Sequence, residues 1–269
     1  MSLSFESTPH GTQLARSAHE GPLRIQRVLY PEGSACPHIY LLHPPGGVVG
    51  GDRLETRVNL ATGAQVLLTT PAAQKLYRSA GAASEIDSVL SLSAGASLDW
   101  LPSETLAFPD ARARTSTRVE LAPDAGFIGW EITCYGMPAR AEKFDRGRVA
   151  SRFELYREGR PLLIEAIELG QGSELLDEAY ALRGEPVVAT LYAVPPSGSI
   201  PSSLVDDTRS ALGEPASGLC SVSSLDELLV VRVLGPHVEG VRALLIRAWQ
   251  LLRPALLARP AVLPRVWAT

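Results

Sequence analysis

The chain has 269 residues, of which 45% are hydrophobic and 20% are charged, and its formal net charge is −4. A chain of this length and composition buries a large apolar core without a metal or disulfide staple, which excludes a disordered or collagen-like polypeptide. The acidic balance disfavours a general nucleic-acid binder. Three cysteines and an N-terminus without a signal peptide indicate a cytoplasmic protein, and no apolar run is long enough to span a bilayer.

Most of the chain is predicted to form short β-strands. Residues 1–20 are predicted to be flexible, and the strands that follow are β-branched or alternating runs bounded by Gly or Pro. The predicted strands are Arg24–Tyr30, His38–His43, Val58–Leu60, Gln65–Thr70, Ile86–Leu92 and Thr117–Leu121. The 23 glycines and 21 prolines are spread along the chain, which is typical of a fold with many turns.

A weak internal repeat joins these strands into units. The segments 59–70, 91–102 and 120–131 each hold an apolar strand, a Gly-containing turn and a second apolar strand, and 154–165 is a looser fourth copy. Each unit resembles a hairpin that cannot bury its own apolar face, so the units are predicted to stack side by side. The sequence therefore predicts a mainly β fold, an elongated β-superhelix of stacked hairpins. Unrelated hairpins with similar turns are the alternative.

The last third of the chain has a different pattern. Its predicted strands are Val187–Val194, Cys220–Ser223 and Leu228–Leu234. Between the first two, Ser202 or Ser203 is predicted to cap a short helix that runs to about Leu212. Gly213 supplies the stop signal of this helix.

A second helix is predicted after the last of these strands. Apolar residues at steps of three and four indicate a strongly amphipathic helix from Pro236 to Leu252, ended by Pro254. The sequence thus predicts two α-helices near the C-terminus. They belong to a mixed α/β portion, 187–252, that packs on the β body of a single domain spanning 1–269.

The sequence lacks the common catalytic motifs. It has no Gly-x-Ser-x-Gly elbow for a nucleophilic serine, no His-Glu-x-x-His for a zinc hydrolase and no Cys-x-x-Cys pair. The Gly-rich stretch 46–52 is not followed by Lys-Ser/Thr, so it is not a nucleotide-binding P-loop. We therefore expect the protein not to be an enzyme. A metal-binding or hydrolytic enzyme with an unrecognised site is the alternative.

Two loops of unusual composition are candidates for a contact or ligand-lining surface. The segment 43–54, HPPGGVVGGDRL, contains two prolines, whose φ is fixed, followed by two Gly pairs. The Gly pairs allow another backbone to approach closely. The segment 69–79, TTPAAQKLYRS, places one of only two lysines beside a Tyr and an Arg. A tight double turn and a solvated loop are the alternatives for these two segments.

Potential metal ligands cluster once, at Cys36, His38 and His43. Cys36 and His38 share one face of a regular strand, and His43 points to the other face. Imidazole and thiolate suit nickel, copper or zinc, but no fourth ligand is adjacent, so only a transient site is predicted. Unconnected His and Cys side chains are the alternative.

Carboxylates recur beside the apolar strands. Because a buried carboxylate is costly unless it is paired or binds a cation, several that face inward would line a polar path for a divalent cation. The alternative is that strand alternation places them outward. These carboxylates are Asp52, Asp99, Glu104, Glu131, Glu142 and Asp145.

The two unusual loops carry a family resemblance. HPPGGVVGGDRL followed by TTPAAQKLYRS resembles the paired signature of the UreD (UreH) family of urease accessory proteins. Later regions of the family resemble LDWLPSETLAFPDARARTSTRVEL, GWEITCYGMPARAEKFDRGRV and VRALLIRAWQLLRPALLARPAVLPRVWAT, in this order. The resemblance covers about residues 20–269. It implies an elongated all-β superhelix that carries two helices, which agrees with the repeat and with the two predicted helices.

The resemblance also implies a function. It implies a non-catalytic scaffold or chaperone for nickel insertion into apo-urease, acting in the cytoplasm without nucleic acid or a membrane. The implied partners are UreF, the GTPase UreG and the urease structural subunits. No stably bound cofactor is expected, and Ni²⁺ is expected only in transit through an internal tunnel. A nickel storage protein is a further alternative.

The motifs and the carboxylates give the candidate site residues. No catalytic residue is predicted. The expected interface or tunnel-lining residues are His43, Pro44, Gly46, Gly47, Gly50, Gly51, Asp52, Lys75, Tyr77, Arg78, Ser79, Glu104 and Glu131. The expected transient metal ligands are Cys36, His38 and His43.

Overall fold

The structure is a computed structural model that describes residues 1–215 and 217–268. These residues form eighteen strands, two α-helices and three 3₁₀ helices. The strands are β1 (Ser2–Thr8), β2 (Gly11–Ala18), β3 (Arg24–Ile25), β4 (His38–Leu42), β5 (Gly47–Val48), β6 (Arg53–Leu60), β7 (Gln65–Thr69), β8 (Gln74–Leu76), β9 (Ser84–Leu92), β10 (Ser97–Leu101), β11 (Thr105–Ala107), β12 (Arg112–Leu121), β13 (Gly126–Tyr135), β14 (Arg148–Arg157), β15 (Arg160–Gly170), β16 (Val187–Val194), β17 (Leu219–Leu225) and β18 (Leu228–Gly235). The helices are α1 (Ser202–Leu212) and α2 (Val238–Leu257), and the 3₁₀ helices are Pro138–Arg140, Glu174–Leu176 and Arg265–Ala268.

The strands form two β-sheets packed face to face. The seven-stranded sheet has the order β15-β14-β12-β9-β6-β1-β2. The eleven-stranded sheet follows the path β17-β18-β16-β13-β10-β7-β4-β3, and the short strands β5, β8 and β11 extend it beside β13. Inward side chains of both sheets form a common apolar core. The prediction of a mainly β, stacked architecture is confirmed.

Within this architecture the repeated units are β-arches rather than hairpins. In β6–β7, β9–β10 and β12–β13, the first strand belongs to the seven-stranded sheet and the second to the eleven-stranded sheet. Each strand pairs in parallel with the equivalent strand of the next unit: Val58 lies beside Leu90, and Val66 lies beside Leu98. The units stack into a β-solenoid of about four turns, because each arch buries the apolar face of one strand against that of the other.

The fourth copy of the repeat is a true hairpin. Strands β14 and β15 pair antiparallel, and their turn residues Glu158 and Gly159 have φ values of 50° and 73°. Positive φ at both central residues is typical of a type I′ turn, whose twist matches that of the flanking strands. Because β15 is the last strand of the seven-stranded sheet, this hairpin ends the solenoid on that side.

Residues 1–20 differ from the flexible segment that the sequence predicts. They form the hairpin β1–β2, and β1 pairs in parallel with β6, so that Leu3 lies beside Val58. Leu3 and Phe5 alternate with polar residues and are fully buried in the common core. The apolar alternation anchors this segment, although only two large side chains carry the signal.

The C-terminal third extends the eleven-stranded sheet and covers its outer face. Strand β16 pairs antiparallel with β13, and β18 and β17 follow it. Both helices pack on the face of this sheet that is turned away from the other sheet. Helix α1 has the predicted bounds and ends at Gly213, but Pro201 is its N-cap, so Ser202 is the first helical residue rather than the cap.

Helix α2 is longer than predicted. The predicted apolar stripe forms its buried face, which includes Val241, Leu245, Ala248 and Leu252. The helix runs through Pro254 to Leu257, although Pro254 is predicted to end it. Proline removes one backbone hydrogen bond, and the burial of Arg253 and Leu257 holds the last turn in place despite that loss.

Candidate functional site

A row of small hydroxyl residues lies on the inner face of the seven-stranded sheet. Neighbouring strands each place one residue in this hydroxyl row, and strand pairing aligns Thr56, Ser88 and Thr117. Two residues further along the same strands, the equivalent row is fully buried and apolar: Val58, Leu90 and Val119. At the level of the hydroxyl row, small polar side chains stand where the next level has large apolar side chains that fill the core.

The first cavity lies at this level, between the two sheets. It has a volume of about 450 Å³. Its wall includes the hydroxyl row from one sheet and, from the other, Trp100, Glu131 and Thr133. Among the described residues of this wall, Glu131 is the one carboxylate, so it sets the charge of the cavity.

The first cavity reaches the surface between the two loops that carry the family resemblance. Pro44 and Ala72 are exposed residues of its wall, and His43, Gly46 and Gln74 lie beside them. The loops are joined because β5 pairs in parallel with β8. The two motifs therefore form one surface feature, the mouth of the first cavity.

Two glycines permit the close approach of these loops. A Cβ atom on Gly47 would lie 2.5 Å from the Tyr77 ring and 2.8 Å from the carbonyl oxygen of Lys75. A Cβ atom on Gly50 would lie 2.1 Å from the hydroxyl oxygen of Ser79. A larger residue at either position would push the loops apart. These residues support the mouth and do not line the cavity.

The remaining motif residues lie on the outside of the mouth. Asp52 accepts a hydrogen bond of 2.9 Å from the backbone N–H of Val49, and Gly51 has a φ of 90°, so both shape the turn. Tyr77 and Arg78 are exposed. An aromatic side chain next to an arginine is typical of a protein contact surface.

A second cavity lies further along the sandwich, with a volume of about 760 Å³. Its wall includes Tyr135, Phe153, Glu165, Tyr192, Cys220 and Arg232. Ile164 and Leu219 also belong to the wall and are 46% and 44% exposed, so the second cavity reaches the surface at strands β15 and β17. Glu131 and Thr133 line both cavities, which are therefore neighbours.

Glu131 stands where the two cavities meet. Thr117 donates a hydrogen bond of 2.7 Å from its Oγ1 to Oε1 of Glu131. Burial raises the pKa of Glu131 to about 7; the bond from Thr117 opposes this rise and the Glu165 carboxylate adds to it. A carboxyl group that titrates near neutral pH can lose its proton when a cation arrives and regain it when the cation leaves.

Sequence reasoning missed a second carboxylate, Glu165. Strand pairing aligns it with Thr117: Thr117 of β12 lies beside Phe153 of β14, which lies beside Glu165 of β15. Tyr192 donates a hydrogen bond of 2.8 Å to Oε2 of Glu165, and Arg232 forms an ion pair with Oε1. Glu165 is the last residue of the fourth repeat copy, as Glu131 is of the third. A glutamate at the end of a repeat copy is therefore the sequence signal that could have identified Glu165 as a cavity residue.

The predicted metal ligands are not brought together. His38 Nε2 lies 2.6 Å from Oε1 of Glu32, Cys36 Sγ accepts a hydrogen bond of 3.6 Å from Arg253, and His43 lines the first cavity instead. Burial and neighbouring carboxylates raise the pKa of Cys36 to about 12, so its thiol stays protonated and is a poor metal ligand. In the part of the chain that the structure describes, no three His, Cys, Asp or Glu side chains are placed to hold a metal ion.

Asp99 belongs to a buried ion cluster between the eleven-stranded sheet and α2. The fully buried Arg253 donates hydrogen bonds of 2.9 Å to Asp99 and to Glu32, and Trp249 donates one of 2.7 Å to Asp99. Burial acts to raise the pKa of Glu32, but its bonds to His38 and Arg253 outweigh this and lower the pKa to about 2. The cluster joins α2 to β10 and faces away from the cavities.

The other predicted carboxylates also lie outside the cavities. Glu104 lies 3.9 Å from Arg242 of α2, and Glu142 and Asp145 are exposed. Strand alternation or loop position turns these side chains away from the space between the sheets. Of the six carboxylates singled out in the sequence, Glu131 is therefore the one that lines a cavity.

The fold and the cavities define a β-solenoid that encloses two neighbouring cavities between its two sheets. Neither helix in the described ranges has the length and apolar character needed to cross a membrane. The family model of the UreD urease accessory protein matches residues 1–268. The chain belongs to this family.

Similar proteins from several bacteria support the assignment. The urease accessory protein UreD of Pseudomonas fluorescens is 46% identical over 252 residues, which cover 93% of this chain and 88% of the relative. That of Alcanivorax borkumensis is 44% identical over 259 residues, 96% of this chain and 86% of the relative. The urease accessory protein UreD 2 of Brucella anthropi is 39% identical over 269 residues, which cover 100% of this chain and 97% of the relative. The family resemblance seen in the motifs is confirmed.

Proposed function

We propose that this protein is a non-catalytic accessory factor, a chaperone for assembly of the nickel centre of urease. Membership of the UreD family supports an accessory role in urease maturation. We also propose that hydrated Ni²⁺ moves through the first and second cavities on its way to apo-urease. The observation that carries this proposal is the position of Glu131, whose carboxyl group belongs to the walls of both cavities.

The chemistry of the walls suits transit rather than storage. An ion path needs sites that attract the ion enough for it to enter and hold it weakly enough for it to leave. The hydroxyl row offers neutral oxygen atoms, and because the pKa of Glu131 is about 7, a nearby cation favours loss of its proton at neutral pH. Ni²⁺ is the cargo here, and no stably bound cofactor is part of the proposal.

The proposed partners are UreF, the GTPase UreG and the urease structural subunits, in the cytoplasm. The chain has no P-loop, so GTP binding and hydrolysis fall to UreG. The mouth of the first cavity, with exposed Tyr77 and Arg78 beside it, and the rim of the second cavity, with exposed Ile164 and Leu219, are the proposed contact surfaces. Aromatic, arginine and exposed apolar side chains are enriched at such interfaces.

Filling the first cavity tests the route. Ser88 is buried in the wall of the first cavity, and Ser91 lies on the outer face of the same strand. Ser88→Leu places a larger apolar side chain in the path, so we expect a loss of urease activation of about tenfold or more. The measurement is urease activity after incubation of apo-urease with this protein, UreF, UreG, Ni²⁺ and GTP.

Ser91→Leu is the matched control, and we expect it to support normal activation. Both variants should keep the thermal unfolding transition and bind UreF in a pull-down experiment. Full activation by a folded Ser88→Leu protein would overturn the route through the cavities. Turnover of a substrate by the isolated chain would instead favour an enzyme.

A further inference from the structure

An ion pair bridges the two sheets at the second cavity. Arg232 extends from β18 of the eleven-stranded sheet and Glu165 from β15 of the seven-stranded sheet, and both side chains belong to the wall of the second cavity. Tyr192 of β16 bonds the other carboxylate oxygen of Glu165. Both oxygens of this carboxylate are therefore occupied by protein groups.

The two partners of Glu165 differ in how firmly they are held. The Tyr192 ring stacks on Phe153 with centroids 3.9 Å apart and an angle of 9° between the planes, and Tyr192 is only 2% exposed. The Arg232 side chain is 44% exposed. Tyr192 is thus fixed by packing, whereas the guanidinium group can move into solvent by rotation of its long side chain.

Arg232 also controls the charge that an arriving ion meets. Among the described residues of the second cavity wall, it is the one cationic side chain. While it is paired, its positive charge compensates Glu165 and repels cations that approach the rim. Coulomb attraction to a carboxylate grows in proportion to the charge of the cation. A divalent ion therefore competes with a guanidinium group better than a monovalent ion does.

We propose that Arg232 is a specificity-determining gate: it occupies Glu165 in the empty protein, and a hydrated divalent cation displaces it whereas K⁺ does not. This inference rests on the proposed function of the cavities. When Arg232 leaves, Tyr192 keeps the carboxylate in place for the cation. When the cation departs, Arg232 returns and closes the site.

Ni²⁺ binding to the full-length protein tests the gate. Arg232→Gln removes the competing charge, so we expect Ni²⁺ to bind about fivefold or more tightly than to the wild type. We also expect added KCl to weaken this binding more steeply in the variant, because K⁺ can then reach Glu165. The measurement is equilibrium dialysis with Ni²⁺ at two KCl concentrations, followed by metal analysis.

Three further variants keep the test decisive. Arg232→Lys retains the positive charge and should bind Ni²⁺ as the wild type does. The double variant Glu165→Gln/Arg232→Gln lacks the carboxylate and should not bind Ni²⁺ more tightly than the wild type. Arg148→Gln, which breaks an exposed ion pair with Glu168 on the same hairpin, should change neither affinity nor KCl dependence. An unchanged affinity and KCl dependence in a folded Arg232→Gln protein would overturn the gate.

The two proposals fail in different ways. If Arg232→Gln gains affinity while Ser88→Leu activates urease fully, the gate stands as a property of the cation site and the route through the cavities fails. If Ser88→Leu blocks activation while Arg232→Gln binds Ni²⁺ as the wild type does, the route stands and the gate fails.

Discussion

Two regions of this protein bury carboxylates and surround them differently. In the ion cluster at α2, Asp99 receives hydrogen bonds from Arg253 and Trp249, and Glu32 receives them from Arg253 and His38. At the junction of the two cavities, Glu131 receives one hydrogen bond, from the neutral Thr117, and lies next to open space. In the first arrangement Arg253 opposes the effect of burial, which still raises the pKa of Asp99, and the second arrangement leaves room for an external cation to act on Glu131.

The comparison separates a structural cluster from a functional site. A buried charge with hydrogen-bond and ion-pair partners on several elements joins those elements together. Removal of one partner leaves the remaining charge buried without compensation. A buried carboxyl group with few partners is a cost to the fold, and such groups concentrate at functional sites. The kind of partner distinguishes the two carboxylates: Asp99 is bonded by an arginine, whereas Glu131 is bonded by a neutral hydroxyl group.

The largest expected effect breaks the satisfied region. Arg253→Met leaves Asp99 and Glu32 buried without their shared cation, so we expect the free energy of unfolding to fall by about 3–5 kcal/mol. Urea denaturation at neutral pH measures this. Arg247→Met, at an exposed position of the same helix, is the control, with an expected change within about 0.5 kcal/mol. A loss below about 1 kcal/mol for Arg253→Met would show that the cluster is not a structural anchor.

A second prediction sharpens the comparison at Glu131 through pH. The pKa of Glu131 is about 7 in the folded protein, against 4.5 for an ordinary glutamate. Between these values the unfolded chain loses the proton while the folded protein keeps it, so the contribution of this group to stability falls as the pH rises. Glu131→Gln lacks this decline. We expect it to exceed the wild type in unfolding free energy by about 3 kcal/mol above pH 7 and to match it below pH 4.5.

Urea denaturation across this pH range measures the difference between the two proteins. Glu168→Gln, which changes an exposed glutamate, is the control and should follow the wild type at every pH. A constant difference between Glu131→Gln and the wild type from acid to alkaline pH would contradict the raised pKa.

The smallest effect concerns Thr117, the one hydrogen-bond partner of Glu131 among the described residues. Thr117→Val keeps the shape of the side chain and removes the 2.7 Å hydrogen bond that favours the charged carboxylate. We expect the pKa of Glu131 to rise further and the stability at neutral pH to fall by about 1 kcal/mol. The measurement compares the stability of Thr117→Val with that of the double variant Thr117→Val/Glu131→Gln as a function of pH. The pH at which this stability difference stops changing gives the pKa of Glu131 in the folded protein. If this pH is the same as in the wild-type background, Thr117 does not tune the site.

Local patterns were sufficient for most elements of the fold. Strand alternation and the three-four spacing of α2 predict β16, β18 and the buried stripe of α2, because each side chain follows the period of its own element. The repeat also predicts stacking. It does not distinguish an arch from a hairpin, since both join two apolar strands by a short turn, and the choice depends on which strands become neighbours in the folded chain.

The candidate site was predicted less completely, for a related reason. Glu131 and the mouth residues His43, Pro44 and Gly46 lie in recognisable motifs, and the structure places all four in a cavity wall. Arg232 and Glu165 are 67 residues apart in sequence, and their contact depends on the packing of one sheet against the other. Conversely, Cys36, His38 and His43 are close in sequence, but Cys36 and His38 contact the buried ion cluster whereas His43 lines the first cavity.

The parallel stacking of the arches has an evolutionary consequence. Each strand of the seven-stranded sheet contributes a single side chain to each level of the cavity wall, as the strands of Thr56, Ser88 and Thr117 do. One codon change therefore alters one side chain at one level of the cavity wall and leaves the neighbouring levels unchanged. A lineage can adjust the polarity of the interior stepwise, without redesigning the framework that surrounds it.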